Sequence, residues 1–122
     1  MKIRIKDSSI RLRLSKIDIS TLSNEGCVLS ECQITPGNTL KYMISISDKE
    51  EITIKMKYHT IDLKIPYDQL QVFLQDDQVG FSHTIDNGLE GGLTILVEKD
   101  FQCLVPRPHE DESNLYTNPL AE

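Results

Sequence analysis

Nine cations alternate with aliphatic residues along this chain: Lys2, Arg4, Lys6, Arg11, Arg13, Lys41, Lys55, Lys57 and Lys64. Between them fall Ile3, Ile5, Ile10, Leu12, Leu14, Leu40, Tyr42, Ile54, Leu63 and Ile65. In an extended strand successive side chains point to opposite faces, so this spacing gathers cations on one side and aliphatics on the other. A dense lysine and arginine surface can hold an anion, either a phosphorylated or carboxylated small molecule or an acidic protein. The nine are most of the thirteen basic residues in a chain of formal net charge −6. The acids collect in turns, helices and the tail, as with Asp48, Glu50, Glu51, Asp76, Asp77, Glu110, Asp111 and Glu112. Charge is thus segregated by face. Two other readings stand beside anion binding: strand lysines that deter aggregation, and an acidic segment of the chain lying over the basic face.

Nucleic acid fits this surface poorly. Single-strand binders add stacking aromatics to a cationic groove, whereas aromatic residues make up 6% of this chain and Trp is absent. Catalytic patterns are sparse as well. The histidines His59, His83 and His109 belong to no HExxH pattern, and there is no GxSxG or phosphate loop. The run IDNGLEGG reads as a hairpin connection rather than a dinucleotide loop, because no strand, glycine turn and helix follow in order. Cys103 with His109 offers metal ligands in principle, but the spacing matches no standard zinc motif, so no metal or other cofactor is expected. Cys27, Cys32 and Cys103 are an odd number without paired spacing and read as reduced thiols. If Cys27 and Cys32 share one strand, they point to opposite faces.

The elements that must position these residues are written in two rounds. Ile3 and Ile5 correspond to Ile52 and Ile54, and Ile10, Leu12 and Leu14 to Ile61, Leu63 and Ile65. Ile19 and Leu22 follow against Leu70 and Phe73, Val28 against Val79, and Ile34 with Gly37 against Ile85 with Gly88. Leu40, Tyr42 and Ile44 answer to Leu93, Ile95 and Val97. The expectation is one domain over 1–122, built from repeats at 2–48 and 51–100 with an extended tail at 101–122. Each repeat, at about fifty residues, is too small to bury a sufficient core alone, so the two should share one.

Within each round the order reads hairpin, helix, hairpin. Ser15 can cap a short helix, Asp18 suits its positive end, and Gly26 can stop it. Pro66 suits the start of a second helix running to about Asp76, with Leu70, Phe73 and Leu74 on one face. Strands are expected near 27–34, 39–46, 51–57 and 60–65, with a last one at 93–98. The fold class is therefore α+β: about eight strands in a mostly antiparallel sheet or open barrel, with two helices on one face. No run approaches the length of a membrane span, and the charged opening does not resemble a signal peptide. A cytoplasmic protein without a membrane partner is expected. Exposed strand edges are compatible with a homodimer.

The opening MKIRI with SSIRLRLS, and the run LVEKDFQCLVPRPHEDE followed by TNP, resemble a small bacterial family known as a domain of unknown function. The matching positions are Glu98, Lys99, Asp100, Phe101, Cys103, Leu104, Pro106, Arg107, Glu110, Asp111, Asn118 and Pro119. Val105 stands where histidine is common, which weakens the case for a metal there. The resemblance implies a cytoplasmic single-domain protein and transfers no activity. On physical grounds the tail motif of Lys99, Asp100, Cys103, Arg107, Glu110 and Asp111 has two readings. Arg107 can pin the tail through Asp100, Glu110 or Asp111, or Lys99, Arg107, Glu110 and Asp111 can stay accessible for a partner.

The function expected is a non-catalytic binding module using its basic sheet face. The first alternative is a phosphate- or triphosphate-handling, metal-dependent enzyme. Many strands, internal symmetry and abundant cations resemble the triphosphate tunnel metalloenzymes, but that family opens with alternating glutamates where this chain has Lys2, Arg4 and Lys6. The second alternative is a structural subunit of a larger complex.

Overall fold

The computed structural model describes residues 1–75, 77–101 and 113–117, and forms eight strands and two helices among them. β1 (Lys2–Lys6) and β2 (Ser9–Leu14) make a hairpin closed by Asp7 and Ser8. In β2 the alternation acts directly: Ile10, Leu12 and Leu14 are buried, while Ser9, Arg11 and Arg13 remain partly accessible. Ser15 ends the strand and opens α1 (Lys16–Glu25). Its backbone N–H donates to the Asp18 carboxylate at 2.8 Å while its hydroxyl accepts from the Asp18 N–H, a reciprocal cap that satisfies two helix-start donors. Gly26, at φ 79°, stops the helix in a left-handed conformation, and its N–H reaches the Leu22 carbonyl at 3.0 Å.

β3 (Cys27–Thr35) and β4 (Asn38–Ser47) form the second hairpin. β5 (Thr53–Lys57) and β6 (Thr60–Pro66) form the third, and α2 (Tyr67–Phe73) follows directly after Pro66. That helix is shorter than expected, and Asp76 lies outside the described residues. β7 (Gly80–Ile85) and β8 (Leu93–Lys99) complete the set.

The fold is α+β, with eight strands divided between two four-stranded sheets rather than arranged in one. The orders are β1-β2-β8-β7 and β3-β4-β6-β5, and neither sheet closes into a barrel. Each hairpin is antiparallel, whereas the central pairs β2–β8 and β4–β6 are parallel. Every sheet therefore takes one hairpin from each half of the chain. The two sheets are alike in order: β1 and β2 stand in one where β5 and β6 stand in the other. Their registers agree too, since Ile10 faces Ile95 and Leu12 faces Val97 much as Ile61 faces Tyr42 and Leu63 faces Ile44. The hairpin registers shift the sequence comparison: Ile3 lies opposite Leu12 as Ile54 lies opposite Leu63, so Ile54 rather than Ile52 occupies the place of Ile3 and Met56 that of Ile5. Val28 lies opposite Ile44 and Phe81 opposite Val97, so Phe81 rather than Val79 occupies the place of Val28. Likewise Cys32 faces Leu40 as Ile85 faces Leu93.

One core cluster joins both sheets. Ile10, Leu12, Leu14, Ile95 and Val97 come from the first, and Val28, Ile44, Leu63 and Ile65 from the second. Leu22 of α1 and Leu70 and Phe73 of α2 fill the space beside them. Full burial of each such side chain is worth about 1.5–3 kcal/mol, which is what holds helices of ten and seven residues in place. α1 packs on β2 and β3, one strand from each sheet, and α2 on β4 and β6. No described helix is long and apolar enough to cross a membrane.

Candidate functional site

The nine cations do not share one face. Lys2, Arg4, Lys6, Arg11 and Arg13 lie on the outer side of the first sheet, and Lys41, Lys55, Lys57 and Lys64 on the second. This corrects the expectation of a single basic sheet face. Alternation fixes the side of a strand on which a residue lies, not the sheet to which the strand belongs.

The two sets differ in how their charge is balanced. On the second sheet Asp62 stands between cations: it faces Lys55 across the strands, lies 3.3 Å from Lys64 Nζ, and accepts the Ser45 hydroxyl at 2.9 Å. Lys41 is opposite Glu31, and Lys57 sits over the Tyr58 ring at 5.2 Å. On the first sheet like charges oppose each other directly, Lys2 against Arg13 and Arg4 against Arg11. Such pairs repel across the roughly 5 Å between strands.

Two acids answer this at one border. Arg11 Nε lies 2.8 Å from Glu98 Oε1, a contact of charge without hydrogen-bond alignment, and Lys2 Nζ lies 3.0 Å from Asp100 Oδ2. The parallel β2–β8 register supplies them, since it sets Glu98 opposite Arg13. Arg4, Lys6 and Arg13 make no ion pair with any described residue. A shallow recess of about 180 Å³ is lined by Lys2, Ile3, Arg4, Arg11 and Arg13. An adjoining one of equal volume is lined by Arg4, Lys6, Ser9, Arg11 and Leu96.

At the end of this face the chain is locked together. Asp100 is 4% exposed; its N–H donates to the Leu14 carbonyl at 2.8 Å, and its carbonyl accepts from Tyr116 N–H at 2.9 Å. Lys99 is equally buried, and Nζ donates to the Gln75 carbonyl at 2.6 Å beneath the rings of Phe73 and Tyr116. Lys99 is therefore a pin rather than an accessible recognition residue, which corrects the second reading of the tail motif at that position. Asn114 and Leu115 continue the lock, Asn114 accepting the Lys16 N–H at 3.1 Å and Leu115 being buried. Cys103, Arg107, His109, Glu110 and Asp111, with Asn118 and Pro119 of the resemblance, lie outside the described residues.

Near this lock the Tyr42 hydroxyl donates to the Met1 carbonyl at 2.9 Å. Burial raises its phenol above the usual range; nearby Cys32 and Asp18 add to this, and a hydrogen bond with Ser30 works against it.

Among the described residues no group of three or more His, Cys, Asp and Glu is placed to hold a metal ion. Cys27 and Cys32 are free thiols on opposite faces of β3, His59 is in the β5–β6 turn, and His83 is exposed on β7. Glu98 was missed as a partner of the basic face. Its outward parity beside Val97 was readable, but the strand it neighbours was not.

The chain belongs to a protein family of unknown function, DUF7009. The family model matches residues 1–120. No curated protein and no solved structure matches the chain. The buried Lys99 and Asp100 of this DUF7009 chain therefore have a structural reason to be in its terminal motif, whereas Arg4, Lys6 and Arg13 make no ion pair among the described residues.

Proposed function

We propose that this protein is a non-catalytic binding module, and that the outer face of the β1–β2 hairpin binds an anionic ligand or an acidic partner. The observation carrying the reading is the direct opposition of Arg4 and Arg11, with Arg4, Lys6 and Arg13 making no ion pair among the described residues. A folded chain of net charge −6 has enough carboxylates to neutralise these cations, as Asp62 does on the other sheet. Cations set against their own kind cost stability, and an external anion would offset that cost. The test is salt-sensitive stabilisation of the protein by anions, abolished by reversing Arg4 and Arg13.

The matched strand order and central register of the two sheets support descent from a duplicated unit. The free thiols of Cys27 and Cys32 support a reducing, cytoplasmic setting.

A further inference from the structure

Among the described residues β1 is the outermost strand of its sheet, and its hydrogen-bonding pattern can be followed residue by residue. The carbonyls of Ser8 and Leu14 bond to Thr94 and Asp100, so the even-numbered residues of β2 direct their backbone toward β8. The odd-numbered residues Ser9, Arg11 and Arg13 then bond to their partners Lys6, Arg4 and Lys2. The backbone groups of Ile3 and Ile5 consequently point away from β2, to the open edge. Ile5 is 56% exposed on the inward side of the strand, while Arg4 and Lys6 are exposed on the outward side.

An open edge offers backbone donors and acceptors, and its two flanking faces set what can pair with it. On one flank is apolar Ile5; on the other are the cations Lys2, Arg4 and Lys6, repeating at about 6.8 Å as same-side residues do in any strand. A second copy of this edge does not fit, because its lysines and arginine would stand against their own kind. We propose that β1 accepts an extended segment of a partner protein in which acidic residues alternate with apolar ones. The acids would reach Arg4 and Lys6, the apolar residues would cover Ile3 and Ile5, and the backbone would extend the sheet. The β5 edge has the same geometry, with the backbone groups of Ile54 and Met56 pointing away from β6, but Asp62 beside Lys55 and Lys64 makes it the weaker site. This inference rests on the binding role proposed above for the β1–β2 face and adds the chemistry of the partner.

The experiment is a titration of the full chain, followed by amide NMR and hydrogen exchange. The probes are an end-blocked Glu-Val-Glu-Val-Glu-Val peptide, the block isomer Glu-Glu-Glu-Val-Val-Val, and tripolyphosphate. The alternating peptide should slow exchange at Ile3 and Ile5 and bind at least tenfold tighter than its isomer. N-methylating its alternate amides should cost tenfold or more for one of the two possible sets and little for the other, because one set faces β1. Arg4→Glu should weaken binding about tenfold while the protein stays folded by melting. Equal binding of all three probes at the cations, with Ile3 and Ile5 unprotected, would overturn strand addition and leave the anion face standing. Absence of binding by all three would overturn both.

Discussion

Arg4 stands directly opposite Arg11 across the β1–β2 pair, and of the two only Arg11 has a carboxylate beside it among the described residues, that of Glu98. A cross-strand like-charge pair costs up to about 1 kcal/mol. Arg4→Glu should therefore raise the melting temperature of the free protein by a few degrees, more at low ionic strength than at high. A lower melting temperature would show that Arg4 contributes to the fold.

Lys99 should behave in the opposite way. Its ammonium is held under two rings and bonded to the Gln75 carbonyl, so Lys99→Ala should cost about 2–4 kcal/mol, readable in urea unfolding. A change below about 0.5 kcal/mol would mean that Lys99 is not a pin, since surface substitutions fall in that range.

Tyr42 makes stability depend on pH in the alkaline range. Because its folded pKa is raised, the neutral phenol is favoured by the native state. Its contribution is fully present below the unfolded value of about 10 and is lost as pH rises from there through the folded value. Tyr42→Phe should cost about 1 kcal/mol at pH 7 through loss of the bond to Met1, and should flatten the decline above pH 10. Phenolate absorbance of the native protein below pH 10 at this residue would contradict the assignment.

The β5–β6 turn carries Tyr58 at φ 51° and Tyr58 is 85% exposed; His59 follows at φ 61°. Two left-handed residues close a tight hairpin, a position suited to Asn-Gly, and each non-glycine residue there costs about 1 kcal/mol. The double variant Tyr58→Asn, His59→Gly should gain about 1 kcal/mol net, after loss of the Lys57–Tyr58 contact and the added freedom of unfolded glycine. A loss of stability would place Tyr58 or His59 in a supporting contact.

Much of the local structure was readable because it is local. Ile10, Leu12 and Leu14 are spaced as a strand and are buried as one, and Ser15, Asp18 and Gly26 bound α1 through contacts within a few residues. The parallel pairs were not readable: β2 and β8 are separated by most of the chain, and alternation is the same whichever strand lies alongside. For that reason the nine cations merged into one face, and Glu98 went unnoticed beside Arg11. Lys99 was readable by parity, since Ile95, Val97 and Lys99 point inward together, but its charge suggested the surface. The two extra residues of the second half fall between α2 and β7, not in the following loop, which is why Val79 was matched where Phe81 stands.

The most direct measurement is thermal melting of the native chain and of the Arg4→Glu, Arg13→Glu variant, at low and high salt, with tripolyphosphate, a nucleotide and an acidic peptide. An anion held on the β1–β2 face at a hundredfold excess over its Kd adds about 2.7 kcal/mol, a rise of several degrees. Such a rise is expected for the native chain at low salt, with its decline at high salt and its loss in the variant. A rise that survives both reversals, or no rise with any of the three, would contradict anion binding on this face.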